Sequence, residues 1–302
     1  MPTNLQDRDW DLLIRRIRAG KCTPFLGAGA AYGVLPLGSQ IAQSWAKEFG
    51  YPLEDAGNLA RVATYLGVQY DAMYPKEMLL KNWIQNAKPP DYADPDEPHA
   101  TLASLPLPIY MTTNYDPFMT KALEAAGKKP RRELCRWNYF LKDRPSIFDD
   151  DPGFEPSPEE PVVFHLHGHD ESAESLVLTE DDYLDFLVCI SRDDELLPHQ
   201  VRRSLAGTSL LFVGYSLADW SFRVLFRGLV NSVEPSLRRI SVTVQLPPVP
   251  DNQKSTLSVQ SDIQAYLARY FDQIDIRVYW GTAREFMTEL RTHWETFKKN
   301  ND

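Results

Sequence analysis

Short apolar runs recur along the chain, and several halt abruptly at glycine or at small polar residues. Residues 9–19 (DWDLLIRRIRA) carry apolar positions at helical spacing, with Gly20 standing where a C′ residue belongs. Thr23 to Leu26 is a brief apolar run that stops at GAGA, which reads as a buried strand entering a tight turn. The spacing predicts a helix over 38–49 with Ser39 as its N-cap, and two more helices within 54–87. A strand is expected at 107–111 (LPIYM), followed by TTNYD and a helix over 117–126 that Gly127 closes. VVFHL (162–166) ends at HGHD, and LLFVGYSLAD (210–219) is the most apolar strand of the chain. Helices fill 179–205. Another runs from Trp220 to about Val230, with Asp219 as its cap. A β-branched strand at 240–246, a proline-bearing linker, a helix near 262–270, a strand at 274–280 and a final helix from about 282 complete the order.

Strands alternating with helices predict an α/β fold, a mostly parallel sheet with helices on both faces. In such sheets ligands sit at the carboxyl ends of the strands. Four strand ends here combine glycine or small residues with polar side chains: GAGA, TTNYD, HGHD and GYSLAD. Most strand ends need turn chemistry alone, so four of this kind point to one shared crevice.

Composition narrows the picture. The 302 residues suit one large domain or two small ones. The organisation expected is a single domain over 1–302, with a helical insertion at approximately 38–105 and an acidic, proline-rich surface loop at 142–161, an unlikely core element. The formal net charge of −10 argues against a nucleic-acid binder that works through a general basic surface, although local patches such as Arg202–Arg203 and Arg238–Arg239 remain. Cys22, Cys135 and Cys189 lie far apart and form no CxxC, so neither a disulfide framework nor a four-cysteine zinc site is expected. Such usage fits a reducing, cytoplasmic setting. The first residues show no basic n-region leading into an apolar h-region, and no apolar run approaches about 18 residues, so neither a signal peptide nor a membrane span is expected.

The candidate chemistry sits at the strand ends. Gly27-Ala28-Gly29 between a strand and a helix would let backbone N–H groups approach a pyrophosphate at the positive end of that helix. The alternative is a plain tight turn, because Tyr32 stands where the full dinucleotide fingerprint needs a third glycine. Asp116 reads as a helix cap, which leaves the Thr112-Thr113-Asn114 run unexplained; an asparagine in a crevice can orient substrate or water without carrying charge. His165, His167 and His169 alternate, so a continuing strand would put all three on one face. A core histidine and an HxH metal pair are both open readings. His167, next to the strand-breaking Gly168, is the candidate general base, with an ordinary imidazole pKa near working pH. Gly214, Tyr215 and Ser216 would admit a ribose or phosphate, and Gly281-Thr282 would meet an adenine edge through its backbone.

Taken in order, GAGA, TTNYD, FHLHGH, FVGYSLAD and YWGTAREF resemble the sirtuin family, and more closely its bacterial sirtuin-like NAD-hydrolase branch than the protein deacylases. The resemblance implies a Rossmann-like NAD-binding sheet with a smaller helical module. It implies diphosphate binding at Gly27, Ala28, Gly29 and Ala30, with Thr113 beside the cofactor. It further implies chemistry at Asn114, nicotinamide contact at Asp116, a catalytic histidine at His167, and ribose and phosphate contacts at Gly214, Tyr215 and Ser216. Two departures stand out. Only Cys189 follows the HG motif where deacylases carry four zinc cysteines, so no zinc is expected, and Pro36-Leu37-Gly38 replaces the acid–aromatic–arginine triplet that follows GAG in deacylases. The implied activity is hydrolysis of NAD to nicotinamide and ADP-ribose in antiphage defence, by a homo-oligomer that works with a HerA-type hexameric ATPase. Protein deacylation, ADP-ribosyl transfer and non-catalytic sensing of NAD or ADP-ribose are the alternatives.

Overall fold

The computed structural model describes residues 5–192, 196–215, 240–247 and 257–301. Among these residues seven strands form one sheet in the order β3-β4-β2-β1-β5-β6-β7. They are β1 Cys22–Leu26, β2 Ile109–Thr112, β3 Arg131–Leu134, β4 Val162–His165, β5 Ser209–Val213, β6 Ser241–Gln245 and β7 Ile276–Trp280. All neighbours pair in parallel. The chain winds outward from β1 toward β3, then returns across the sheet to build β5, β6 and β7. The direction of winding reverses around β1, so the carboxyl ends of β1, β2 and β5 border the natural ligand crevice of such a sheet. The α/β parallel architecture read from the sequence is the one observed.

The helices are α1 Asp7–Arg18, α2 Gly38–Phe49, α3 Leu59–Gln69, α4 Tyr74–Leu79, α5 Pro98–Ala103, α6 Phe118–Ala125, α7 Ile147–Asp150, α8 Glu180–Arg192, α9 His199–Gly207, α10 Leu257–Asp272 and α11 Ala283–Asn301. Every residue of β1, β2, β4, β5 and β6 is buried, the polar Ser241, Thr243 and Gln245 of β6 included, as a parallel sheet covered on both faces requires. Successive side chains still alternate: Phe25 enters the core on one face and Leu26 the core on the other. On the second face α11 packs along α1, with Trp10 stacked on Phe286 and His293. Arg18 sits 5.3 Å above the ring of Phe297. No helix among the described residues is long and apolar enough to cross a membrane.

A third core belongs to α2, α3 and α4. Ile41, Trp45, Val62, Leu66 and Leu79 pack there with Leu176 and Leu178, which follow β4. This unit is tied to α8 by a buried ion pair, Lys76 Nζ to Asp182 Oδ1 at 2.7 Å. The second carboxylate oxygen of Asp182 accepts the N–H groups of Leu178 and Thr179.

Three expectations need correction. Strand β3 escaped the sequence reading because Arg131, Arg132 and Glu133 interrupt its apolar pattern, as suits an edge strand. The 142–161 segment is more than a surface loop: it contains α7, and Phe148 and Phe154 are both buried in the core. Ser39 does not cap α2; Gly38 already opens the helix, and Gln40 Oε1 accepts the N–H of Leu37 at 2.8 Å. The helix expected after Trp220 and its cap Asp219 lie outside the described residues, as does most of the linker beyond β6.

Candidate active site

The turn after β1 is pressed against the turn after β5. Gly27 N–H donates to the Val213 carbonyl, and Gly29 N–H to the Gly214 carbonyl, both at 2.9 Å. A Cβ on Gly27 or Gly29 would lie within 3 Å of Gly214, and Gly214 has φ +81° with the Ala30 nitrogen 2.1 Å from where its own Cβ would stand. Mutual approach of two turns therefore requires glycine at all three positions, before any ligand is considered. Only a single 3₁₀ turn, Ala28–Ala31, follows, and α2 starts at Gly38. The expected helix N-terminus over a pyrophosphate is thus not formed here. The N–H groups of Gly27, Gly29 and Ala30 are already engaged.

The end of β2 holds Asn114 from three sides. Its N–H donates to Thr112 Oγ1 at 2.9 Å, its Nδ2 to the Gly27 carbonyl at 3.1 Å, and its carbonyl accepts from His165 Nδ1 at 3.1 Å. The side-chain amide oxygen is left for another group. Beside it, the Tyr215 hydroxyl donates to the Leu26 carbonyl, so the Thr113 hydroxyl, 2.9 Å away, donates to the phenol oxygen. Asp116 does act in part as a cap, its Oδ1 accepting the Phe118 N–H at 3.0 Å. Its carboxyl is buried, which raises its pKa, with the nearby His99 opposing the shift.

The three histidines do not share a face. Strand β4 ends at His165, and Gly168 turns the chain with φ +85°. His165 is fully buried and meets the His169 ring edge-on at 5.5 Å between centroids. His167 instead lines the main cavity, with Tyr183 and Phe186 edge-on to its ring at 5.4 and 4.9 Å. Burial pushes its pKa down to about 3, so the ordinary value expected from the sequence does not hold.

The cavity has a volume of about 1220 Å³ and lies across the carboxyl ends of the strands. Asn114, Asp116 and His167 all line it, as do Ala28, Gly29, Thr113, Gly214, Tyr215, Gly281 and Thr282. Gly27 and Ala30 do not line it; they sit where the two turns meet. Ser216 lies outside the described residues. At the β6–β7 end, Gly281 N–H is bonded to the Gln245 carbonyl and Thr282 N–H to Glu285 Oε2. Thr282 is therefore the cap of α11, and a base edge reaching this pair would find these two N–H groups occupied.

The sequence reading missed the wall opposite the sheet. Trp83 and Ile84 from the segment after α4, and Tyr183 and Phe186 from α8, line the cavity. Their apolar character marked them only as packing residues. Pro36, Leu37 and Gly38, noted as a departure from the deacylase pattern, also line it.

The motif order and this geometry can be set beside known proteins. A family model described as "SIR2-like domain" matches residues 108–270, more than half of the chain. The chain belongs to the SIR2-like family. Similar curated proteins include "NAD(+) hydrolase ThsA" from Cytobacillus dafuensis, 26% identical over 197 residues that cover 65% of this SIR2-like chain and 35% of that protein. The protein of the same name from Enterococcus faecium is 28% identical over 222 residues, 70% of this chain and 41% of its own length. That from Bacillus cereus (strain MSX-D12) is 24% identical over 218 residues, covering 71% and 41%. The SIR2-like chain thus matches well under half the length of these relatives. A solved structure described as "Structural Basis for the Mechanism and Regulation of Sir2 Enzymes" aligns with a TM-score of 0.43 and 11% identity, covering 98% of this chain and 100% of that one.

Proposed function

We propose that this SIR2-like protein is an NAD⁺ glycohydrolase that cleaves the nicotinamide–ribose bond to give nicotinamide and ADP-ribose. The observation that carries this reading is the convergence of Asn114, Asp116 and His167 from two strand ends on one cavity. The relatives named as NAD(+) hydrolases support it.

The base of NAD⁺ leaves as a neutral molecule, so its nitrogen needs no proton. The task is to hold the base and ribose while positive charge develops on the sugar, and to deliver water to C1′. Asp116 would hold the carboxamide. Asn114, fixed at its N–H, carbonyl and Nδ2, would present its remaining oxygen to a ribose hydroxyl or to the water. A water that attacks an oxocarbenium-like carbon becomes strongly acidic as the bond forms. An imidazole with a pKa near 3 is then a sufficient proton acceptor, and it stays neutral and ready at physiological pH. The balance is one water consumed, the C1′–N bond broken, a C1′–O bond formed and one proton released through His167.

Product chromatography after incubation with NAD⁺ tests this reading. Equal release of nicotinamide and ADP-ribose is expected, with loss in His167→Ala and Asn114→Ala variants that remain folded. With an acylated peptide added, O-acyl-ADP-ribose would identify acyl transfer instead, and binding with no turnover would identify a sensor. Unchecked hydrolysis would drain the host cell's NAD⁺, so control is required. The resemblance to the antiphage branch makes NAD⁺ depletion during phage infection the role to test, with activity switched by self-assembly or by a HerA-type ATPase. Light scattering and NAD⁺ assays with and without that ATPase would decide it; a monomer indifferent to the ATPase contradicts it.

A further inference from the structure

The imidazole of His167 is held without a hydrogen bond: neither ring nitrogen has a partner among the described residues. A histidine that moves a proton is ordinarily oriented by a hydrogen bond on its second nitrogen. The torsion that turns an imidazole, χ2, is broad by itself. Some other contact must therefore fix where the nitrogens of His167 point.

Helix α8 supplies that contact. Phe186 stands at 81° to the imidazole with 4.9 Å between centroids, and Tyr183 at 87° with 5.4 Å. Both are edge-to-face aromatic pairs. The two residues are three apart and share one face of the helix, so turning the imidazole about χ2 disturbs both contacts at once. Phe186 is itself fixed in the apolar core, 1% exposed. The start of α8 is locked in turn. Thr179 Oγ1 accepts the Asp182 N–H at 3.1 Å, and Asp182 Oδ2 accepts the Thr179 N–H at 2.8 Å, a reciprocal cap. Two residues before Thr179, the Val177 N–H donates to the His167 carbonyl at 3.0 Å, and the Val177 carbonyl accepts the Tyr115 hydroxyl at 2.7 Å. One short segment, Val177 to Phe186, thus grips the main chain of His167 at one end and its ring at the other. Tyr115 ties that segment to the strand end carrying Asn114 and Asp116.

We propose that Phe186, with Tyr183 beside it, is the positioning residue of His167, and that edge-to-face packing does here what a hydrogen-bonded carboxylate or carbonyl does for other catalytic histidines. This inference rests on reading His167 as the proton acceptor of NAD⁺ hydrolysis. Phe186 acts through the imidazole and takes no part in the bond changes.

The test uses Phe186→Leu, which keeps the site apolar and removes the ring, with Phe186→Met as a second variant closer to phenylalanine in volume. Each should lower kcat for nicotinamide release about 10-fold or more, with KM for NAD⁺ within about 2-fold. In a His167→Gln background the same change should lower the residual rate by less than about 2-fold, because the group it positions is gone. A raised KM with kcat unchanged overturns the assignment and makes Phe186 a binding wall. An equal further loss in the His167→Gln background also overturns it. Carbon relaxation of ring-labelled histidine reads the orientation directly, with His167 assigned by the signal missing in His167→Gln. The His167 ring should be rigid in the wild type and mobile in Phe186→Leu, while His293 on α11 is unchanged. A ring equally rigid in both proteins refutes the proposal. If the wild type releases no nicotinamide, the hydrolase reading fails separately, and the mobility of the ring still decides on Phe186.

Discussion

His165 Nδ1 donates to the main-chain carbonyl of Asn114 across 3.1 Å, linking the ends of β4 and β2. The ring is fully buried, and its other nitrogen has no partner among the described residues. Its pKa lies well below the ordinary imidazole value, chiefly through burial, so the ring is neutral and the Nδ1–H tautomer is fixed by this bond. His165 never reaches the cavity, yet it sets the backbone that carries Asn114.

That geometry predicts a split between variants at 165. His165→Leu removes the donor and should lower kcat about 10-fold or more, with KM for NAD⁺ nearly unchanged. His165→Asn, whose Nδ2 can occupy the place of Nδ1, should recover most of the rate. Steady-state nicotinamide release reads both, and equal losses in the two variants would reduce His165 to a packing residue.

The low pKa of His167 predicts how activity and stability respond to acid. The unfolded chain takes up protons on His167 below about pH 6.5, whereas the folded chain does so only near 3. Stability from this group is therefore complete above pH 6.5 and declines as pH falls, by up to ~1.4 kcal/mol per pH unit. His165 and His169 are depressed in the same direction, and Asp116, raised by burial, acts in the opposite sense. Urea unfolding at pH 7.5 and 5.0 should show a loss that His167→Gln reduces. The rate should show no acid limb at pH 6.5 from imidazole titration.

Lys76 and Asp182 give a prediction on stability. Both side chains are nearly buried, and Asp182 also holds two backbone N–H groups. Lys76→Met would strand a buried carboxylate and should cost about 3–5 kcal/mol in denaturant titration. Breaking the exposed pair Arg15–Asp11 should leave the denaturation midpoint essentially where it was, because both side chains are solvated.

Glycines 214 and 33 both have positive φ, +81° and +91°, but only Gly214 is crowded. Gly33→Ala should cost about 1–2 kcal/mol from backbone conformation alone. Gly214→Ala adds a clash with the Ala30 nitrogen and should cost more, spreading the β1 and β5 turns and weakening NAD⁺ binding. Thermal melts and calorimetry of the two variants separate conformation from contact.

Most of the parallel sheet was legible because buried strands such as β4 and β5 leave short apolar runs, while β6 showed itself by its β-branched residues. Strand β3 was not, since Arg131 and Arg132 serve an edge. Asn114, Asp116 and His167 stood out because polar residues after buried strands have few packing roles. Trp83 and Phe186 gave no such signal: an aromatic side chain on a helix reads the same whether it faces a core or a cavity. The glycines at 27 and 29 pointed to phosphate, yet their first duty is to let one turn rest on another, a tertiary contact that local sequence does not encode.

The pairing of Trp10 with Phe286 and of Arg18 with Phe297 means that α1 and α11 run in the same direction. The beginning of α1 therefore lies level with the start of α11, just past the cavity residues Gly281 and Thr282, while Asn301 points to the opposite pole of the sheet. A fluorophore or affinity handle fused ahead of Asp7 would stand at the cavity side of the sheet, and one fused after Asn301 would stand at the other. Immobilisation through that far pole is the orientation in which surface-based ligand measurements should report on an unobstructed pocket.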